Sequence, residues 1–500
     1  MHLSPLRLRI LVGSLLTVSF LGALDHTVVS TSLATVAGEL GALEHMAWVV
    51  VGFTLAATVV LPVIGKLGDV VGPRQVFLIA LAVFVVASLA CGFAQDMTQL
   101  IAARVLQGMS SAGLQLMSQT IVAYVAPPRD RPRLLAMIGA AFPLAIVVGP
   151  VLGGLITDYW GWPWVFWINV PVGLAAFALA AYAVPHVVPS ARRRVDVAGA
   201  AVFAVAMVAL VLGVTWAADP RASLAALFVL VLAGVSFAVF LVIEFRSAEP
   251  IVPVRSLANR TIACAVALSA IIGVGLFSVV SYLPTYVQLA YGTSATVSGI
   301  VPIATVFGML AANLVTGSRA SRTGRYRVYP IVGTSLGAAA LCVMGLLPPG
   351  LPLGVPAVVM GVVGLGTGSF MSLILAIAQS AAPRRELGAI TATTNLVRQV
   401  GATVATAVIG GVIGVGVAAA LPAAVDASSL TPEAARALPA ALRAEVAVIY
   451  HDVFAPVFLV LAAVNLLGLV VALLLPAGTL SEHLDPASVE QTGTARPATV

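Results

Sequence analysis

Charge is what this chain has least of. Only 9% of its 500 residues are Asp, Glu, Lys or Arg, against roughly 25% in a soluble domain. With 60% hydrophobic residues and a mean hydropathy of +1.09, it reads as an integral membrane protein. Cysteine is scarce as well. Cys91, Cys264 and Cys342 are the three, all in apolar segments without metal-like spacing, which argues against a disulfide framework and against zinc. No G-x-x-x-x-G-K-[ST] loop is present to cradle ATP, and no H-E-x-x-H or paired Asp-rich motif to support membrane-embedded catalysis. The reading is therefore a non-enzyme, with no cofactor and no metal. Acids are missing from a long stretch too: none occurs between Glu249 and Glu386.

What is present is long apolar runs. A spanning helix needs about 20 such residues, and fourteen runs qualify: 9–31, 46–65, 76–95, 98–124, 134–157, 164–184, 197–217, 223–243, 261–290, 295–317, 328–347, 353–380, 387–415 and 451–475. Alternating them from a cytoplasmic amino terminus places twenty Lys or Arg side chains inside, among them Arg7, Lys66, Arg74, Arg129, Arg192, Arg319 and Arg385; Arg221, Arg436 and Arg443 fall outside. That bias orients the chain in a bilayer with both termini cytoplasmic. The net charge of +6 is thus a topology signal, not a nucleic-acid footprint. Arg7 and Arg9 before an apolar run imitate a signal peptide, but no convincing A-x-A site follows and Asp25 interrupts its far end. The run reads as an uncleaved first span.

A weak repeat divides the chain. Gly65 to Arg74 after span 2 and Gly317 to Arg327 after span 10 are both basic turns with glycines seven residues apart. Two six-span halves would put such copies six spans apart, yet they lie eight apart. Two spans are inserted between the halves, and 197–217 with 223–243 is the motif-poor pair. The expected architecture is all-α: residues 1–188 as an amino-terminal six-helix bundle, 189–255 as two inserted helices with linkers, and 256–477 as a carboxy-terminal six-helix bundle. An Ala-rich external loop with helical patterning at 416–450 and a disordered cytoplasmic tail at 478–500 complete it.

Four constellations carry possible chemistry. Asp25 is an ionisable carboxylate in the uncharged run Ile10–Ala37. Such residues are rare in hydrocarbon and usually face a partner or a water-filled cavity, where a carboxylate can load and release a proton. Arg104 in span 4 lies at the same depth, about 8–10 Å below the outer surface at 1.5 Å per residue. Proton coupling by the pair stands beside snorkelling or a fixed structural bridge. In the Gly65–Arg74 turn, with Gly72 beside Pro73, Asp69 sits at a helix carboxy end whose dipole it opposes. It wants a donor, either Arg74 or another helix amino terminus, which makes the turn a conformational latch or simply a topogenic loop. Gly149, Pro150, Gly153 and Gly154, with Gly139 earlier, form a small-residue cluster that reads as a close helix–helix seam able to rock, or as packing alone. Arg398 with Asn395 lies about 16 Å deep, with no acid in its half. Its partners are backbone, water, amides, the other half or an anionic substrate group. Gln115, Gln119, Phe142, Tyr282, Tyr286, Gln288, Asn313, Met371 and Gln379 are the remaining cavity candidates, each alternatively a packing residue.

These residues resemble the major facilitator superfamily, and within it the fourteen-span drug:proton antiporters. Leu24–Val29, Gly65–Arg74, Arg104–Gly108, Gly149–Gly154, Trp164–Gly173, Asp196–Gly199, Leu283–Gln288 and Arg398–Gly401 are each similar to a family motif. The resemblance implies two six-helix bundles plus two extra spans, rocking around a central cavity. It also implies a monomeric proton-coupled exporter of amphipathic small molecules in the bilayer of a bacterial cytoplasmic membrane. A carrier for one physiological solute, such as a lipid, siderophore or self-made antibiotic, is the alternative on the same fold. Three departures stand out: Ala34 where a proline is usual, Ser321 where the second loop usually has an acid, and no intramembrane acid in the carboxy half.

Overall fold

The computed structural model describes residues 4–41, 45–186, 196–217, 223–247, 249–422 and 431–482. They form fourteen long helical rods: α1 (Pro5–Leu40), α2 (Met46–Val71), α3 (Pro73–Gly92), α4 (Met97–Val125), α5 (Arg131–Trp160), α6 (Pro163–Ala183), α7 (Val197–Ala217), α8 (Ser223–Arg246), α9 (Arg260–Ala290), α10 (Ile300–Thr323), α11 (Val328–Leu346), α12 (Gly354–Ala381), α13 (Leu387–Ala420) and α14 (Ala440–Leu474). Thirteen are long and apolar enough to cross a membrane. The exception is α4, whose Arg104, Gln107, Gln115 and Gln119 dilute an otherwise apolar 29-residue helix.

Local chemistry starts the rods where it should. Ser4 accepts from the Arg7 amide with Pro5 in the first turn of α1, and Asp96 caps α4 by accepting from Gln99 N at 2.8 Å. Four rods are interrupted, α6 among them at Ile168. α5 breaks at Ala140, just after Gly139, while Pro150 lies inside continuous helix. α9 contains a π turn over Gly273–Phe277, and α12 breaks at Ser369–Phe370.

Apolar burial does not drive helices together in lipid, so close packing through small residues must. A Cβ on Gly108 of α4 would overlap the Phe53 carbonyl of α2, and one on Gly368 of α12 would overlap that of Met309 on α10. Rods α1–α6 share two apolar cores in the amino half, and α9–α14 share two in the carboxy half. α7 and α8 pack on each other through Phe203 and Phe240, and α7 also lies against α2 and α13. α8 turns Leu224, Phe228, Val231 and Val235 outward, an apolar face suited to lipid.

Two expected boundaries move. α13 runs on to Ala420 and α14 starts at Ala440, so the two spans extend into the helically patterned stretch 416–450, with residues 423–430 outside the described set. The expected disordered tail is docked at its start: Thr479 bridges Arg325, and Leu480 N donates to Gly324 O at 2.9 Å. Residues 483–500 and Arg192–Arg194 lie outside the described residues.

Candidate functional site

Five helices of the amino half converge on Asp25. α1 supplies the carboxylate, α4 supplies Arg104 and Gln107, α3 Ser88, α6 Asn169 and α2 Phe53. Arg104 Nη1 donates to Asp25 Oδ2 at 2.6 Å, while Gln107 Nε2 and Asn169 Nδ2 donate to Asp25 Oδ1 at 2.8 Å each. Arg104 also reaches Gln107 Oε1 at 2.7 Å, and Ser88 Oγ accepts from Gln107 at 2.8 Å. The guanidinium lies 4.2 Å from the centre of the Phe53 ring. Asp25 and Arg104 are 1% and 0% exposed, so neither snorkels. Removing one partner of so buried a pair costs about 3–5 kcal/mol. Beside the carboxylate lies a cavity of about 10 Å³, lined in part by Val28, Ile156 and Asn169, with room for about one water. His26 is turned away, edge-on to Phe53.

The second assembly joins the halves at the end of the bundle that carries Arg74, Arg129 and Arg384, the basic end. Asp69 accepts from Gly388 N at 2.7 Å and Ala389 N at 2.9 Å, at the amino end of α13. Of the two donors open to it in the sequence, the helix amino terminus is the one used; Arg74 instead binds Ala181 O at 2.6 Å and contacts His186. Gly65 lets the rods meet, since a Cβ there would press on Ala392 Cβ and Gly388 O. The other copy of the repeat builds a matching seam. A Cβ on Gly317 would press on Ala136 Cβ and Pro132 O, so Pro132 occupies the place of Gly388. Gly72 and Gly324, which close the two turns, both have positive φ, 108° and 71°.

The chemistry of that second seam is reversed. Pro132 has no N–H to offer an acid, and Ser321 stands where Asp69 would. Ser321 Oγ donates to Asp130 Oδ1 at 3.3 Å, and Arg129 Nε donates to Ser321 O at 2.9 Å. Between the seams, Asn395 Nδ2 donates to Gln119 Oε1 at 2.7 Å, Gln379 Nε2 to Gln119 O at 3.2 Å, and Asn313 Nδ2 to Ala136 O at 3.0 Å. Arg131 donates across the seam to Gln379 O at 3.0 Å. Four residues read from sequence as cavity lining therefore close the basic end in this state.

The other candidates are more dispersed. Gly149 and Gly153 press α5 on Thr27 and Thr31 of α1, whereas nothing lies within 4 Å of a Cβ on Gly154; Pro150 is exposed. The small-residue seam is thus internal to the amino half. Gln115 is exposed, and Phe142, Gln288 and Met371 are half-buried. Tyr282 donates to Thr406 O at 2.7 Å, and Tyr286 sits in an aromatic nest 5.0 Å from Phe454. Arg398 donates to Asn395 Oδ1 at 2.6 Å.

Sequence reading missed several partners. Gln107 and Asn169 are neutral and carried no charge signal, though Gln107 follows Arg104 by the three residues that put both on one helix face. It also missed two straps beside the Asp69 seam. Lys66 pairs with Glu249 at 2.7 Å, and Ser256 donates to Glu386, so the linker after α8 touches both halves. A third lies across the other seam, where Arg129 N donates to Ser481 O at 2.9 Å and its side chain pairs with Glu482.

Comparison with known proteins gives the family and the fold. The family model described as "Major Facilitator Superfamily" matches residues 15–406. An uncharacterised MFS-type transporter of Mycobacterium tuberculosis is 34% identical over 493 residues, covering 97% of this chain and 72% of its own. The multidrug transporter protein MdtP of Bacillus subtilis is 29% identical over 408 residues, covering 81% of this chain and 75% of its own. Among solved structures, a bacterial homologue of the iron transporter ferroportin superposes with a TM-score of 0.63 at 13% identity, covering 94% of this chain and 99% of that one; the likeness is one of fold.

Proposed function

The chain belongs to the Major Facilitator Superfamily, a multi-pass membrane transporter of small molecules, and from that premise we propose that it is a proton-coupled antiporter exporting amphipathic compounds. The observation that carries this reading is the buried Asp25 cluster. It is a single carboxylate held by one cation and two amides, with a water-sized cavity beside it. A proton arriving there cancels the charge that holds Arg104, and the pair must rearrange. We place the basic end in the cytoplasm on the charge rule. The state described is then closed to the cytoplasm, with Gly65, Asp69, Gly72 and Arg74 in and around the latch. α4 is the fourteenth span; at 29 residues it is about 43 Å long, ample for a core of about 30 Å. Gln115, Phe142, Tyr282, Tyr286, Gln288, Met371 and Arg398, with the seam amides once released, are the residues we assign to the substrate path. The protein works as a monomer in this reading.

The test is flux in proteoliposomes. Asp25→Asn keeps a carbonyl oxygen for Arg104 but cannot carry a proton; because the buried charge of Arg104 loses its counter-charge, folding of the variant is checked first by circular dichroism and size-exclusion chromatography. Uptake of an amphipathic dye driven by a pH gradient should vanish in the variant, while exchange without a gradient persists. Unchanged gradient-driven uptake would refute the coupling role. A broad panel of dyes against a single transported compound separates multidrug export from export of one physiological solute.

A further inference from the structure

The interior of the bundle has a charge imbalance. Asp25 and Arg104 neutralise one another and are buried. Arg398 is the other ionised side chain at mid-depth, and its partner is the neutral Asn395 amide. None of α9 to α13 carries an acid: none occurs between Glu249 and Glu386, or from there to Asp426, and Asp452 of α14 lies toward the opposite end of the bundle, twelve residues from the start of that helix. An uncompensated guanidinium away from bulk water is costly, and residues of this kind mark substrate pathways.

Helix register places the group. The Asn395–Gln119 bond is part of the closed seam. Arg398 lies three residues beyond Asn395 on α13, about 4.5 Å further from the basic end. α4 runs the opposite way, so Gln115, four residues before Gln119, lies about 6 Å further from that end. Both side chains therefore project just past the seam, at one level, from opposite halves. Gln115 is exposed there and Arg398 is partly so. Backbone geometry fixes the arginine's position: α9 makes its π turn at Gly273–Phe277, and a Cβ on Gly273 would overlap the Arg398 carbonyl.

We infer that Arg398, with Gln115 facing it, receives the anionic headgroup of the cargo, so that the preferred substrates are amphipathic carboxylates or similar monoanions. A guanidinium fork matches a carboxylate bidentately, and the Gln115 amide adds a donor from the other half. A cationic cargo would meet a like charge at this level and no exposed carboxylate among the described residues of the interior. The inference rests on the carrier reading above, and its test separates the two.

Three probes built on one anthracene ring suffice: an anthracene carboxylate, its methyl ester and an anthracene trimethylammonium. Binding to the purified wild type is measured by fluorescence, and competition against dye flux in proteoliposomes under a pH gradient. The carboxylate should bind and compete about tenfold or more better than the ester or the ammonium, as expected for a charge-assisted bidentate contact. Arg398→Gln should erase that preference while ester binding stays level, and Arg398→Lys, a point charge without the fork, should retain part of it. Equal affinity for all three probes in the wild type, or preference for the ammonium, overturns the inference without any variant. If gradient-driven flux is lost in Asp25→Asn yet Arg398→Gln leaves probe preference untouched, the carrier reading stands and the anion site falls. If no probe binds and no gradient drives flux, both fall.

Discussion

Asp69→Asn is the most telling perturbation of the closed state. The carboxylate takes two backbone N–H groups, from Gly388 at 2.7 Å and Ala389 at 2.9 Å, and faces the positive end of α13. Asn is nearly isosteric, but it offers one accepting oxygen and turns an amide donor toward the other N–H. One charge-assisted bond, about 1.5–3 kcal/mol, is lost outright. The charge–dipole term, typically 0.3–1 kcal/mol, goes with it. Asp69 is only half-buried, so solvent recovers part of the loss, and about 2–3 kcal/mol remains. That corresponds to about a 30- to 150-fold shift of the equilibrium away from the state closed at the basic end. Spin labels on Val71 of the amino half and Val328 of the carboxy half, 37% and 57% exposed, report the separation at that end. The wild type should give one short distance, and the variant a dominant longer one. An unchanged distribution would refute the assignment of Asp69 as the latch, since no other group on α2 contacts those amides among the described residues.

Further outcomes follow from the same geometry. Ser321→Asp, which restores the acid usual at that position, should loosen the basic end, because it faces Asp130 and a proline with no N–H; Asp130→Asn should restore closure in the double variant. A Ser321→Asp protein more tightly closed than wild type, by the same spin-label distances, would contradict this. Lys66→Ala frees the 249–256 linker from α2 and leaves Glu249, 35% exposed in its side chain, able to hydrate. Closure should therefore weaken by under about 1 kcal/mol, as for a partly exposed pair, and a shift as large as that of Asp69→Asn would mean the strap, not the seam, holds the state.

Much of the fold was legible because its signals are one-dimensional. Apolar runs and flanking arginines repeat along the chain, and the rods follow them except where the ends outrun the apolar stretch, most at the carboxy end of α1 and the amino end of α14. Asp25 and Arg104 were legible as a pair because equal depth is readable from helix rise. Their amide partners were not, since Gln107 and Asn169 come from helices whose rotation about their axes no run of hydropathy specifies. The seam amides were legible as polar residues in spans, but not as partners that close the basic end in this state. Gln119 and Asn395 bond to each other only when the halves close, and a sequence carries no mark of which state brings two distant helices together. The same holds for the straps: Lys66 and Glu249 are 183 positions apart.

The proton-coupling reading requires the Asp25 cluster and the basic-end seam to sense one another across the bundle, and two rods touch both: α2, with Phe53 over Arg104 and Asp69 in the seam, and α4. α4 holds Arg104 and Gln107 in the carboxylate cluster, and fifteen residues later, about 22 Å along the axis, it presents Gln119 to Asn395 and Gln379. A continuous helix transmits axial shift and rotation with little loss, so loosening Arg104 displaces Gln119 if α4 moves as a body. This makes a quantitative demand. Sites so far apart that share no partner normally contribute additively within about 0.3–0.5 kcal/mol. Asp25→Asn and Gln119→Ala, measured singly and together by the same spin-label populations, should instead show a coupling energy above about 0.5 kcal/mol. The sign is also set: Gln119→Ala removes the side-chain bond between α4 and Asn395, leaving only the one from Gln379 to the backbone, so the second substitution should add less than it does alone. Additivity would mean that α4 does not link the two assemblies, and the signal would then have to pass through α2, which holds Phe53 over Arg104 and Asp69 in the seam, or through α1 and α5, joined by the Thr27 Oγ1–Ala145 O bond at 3.0 Å.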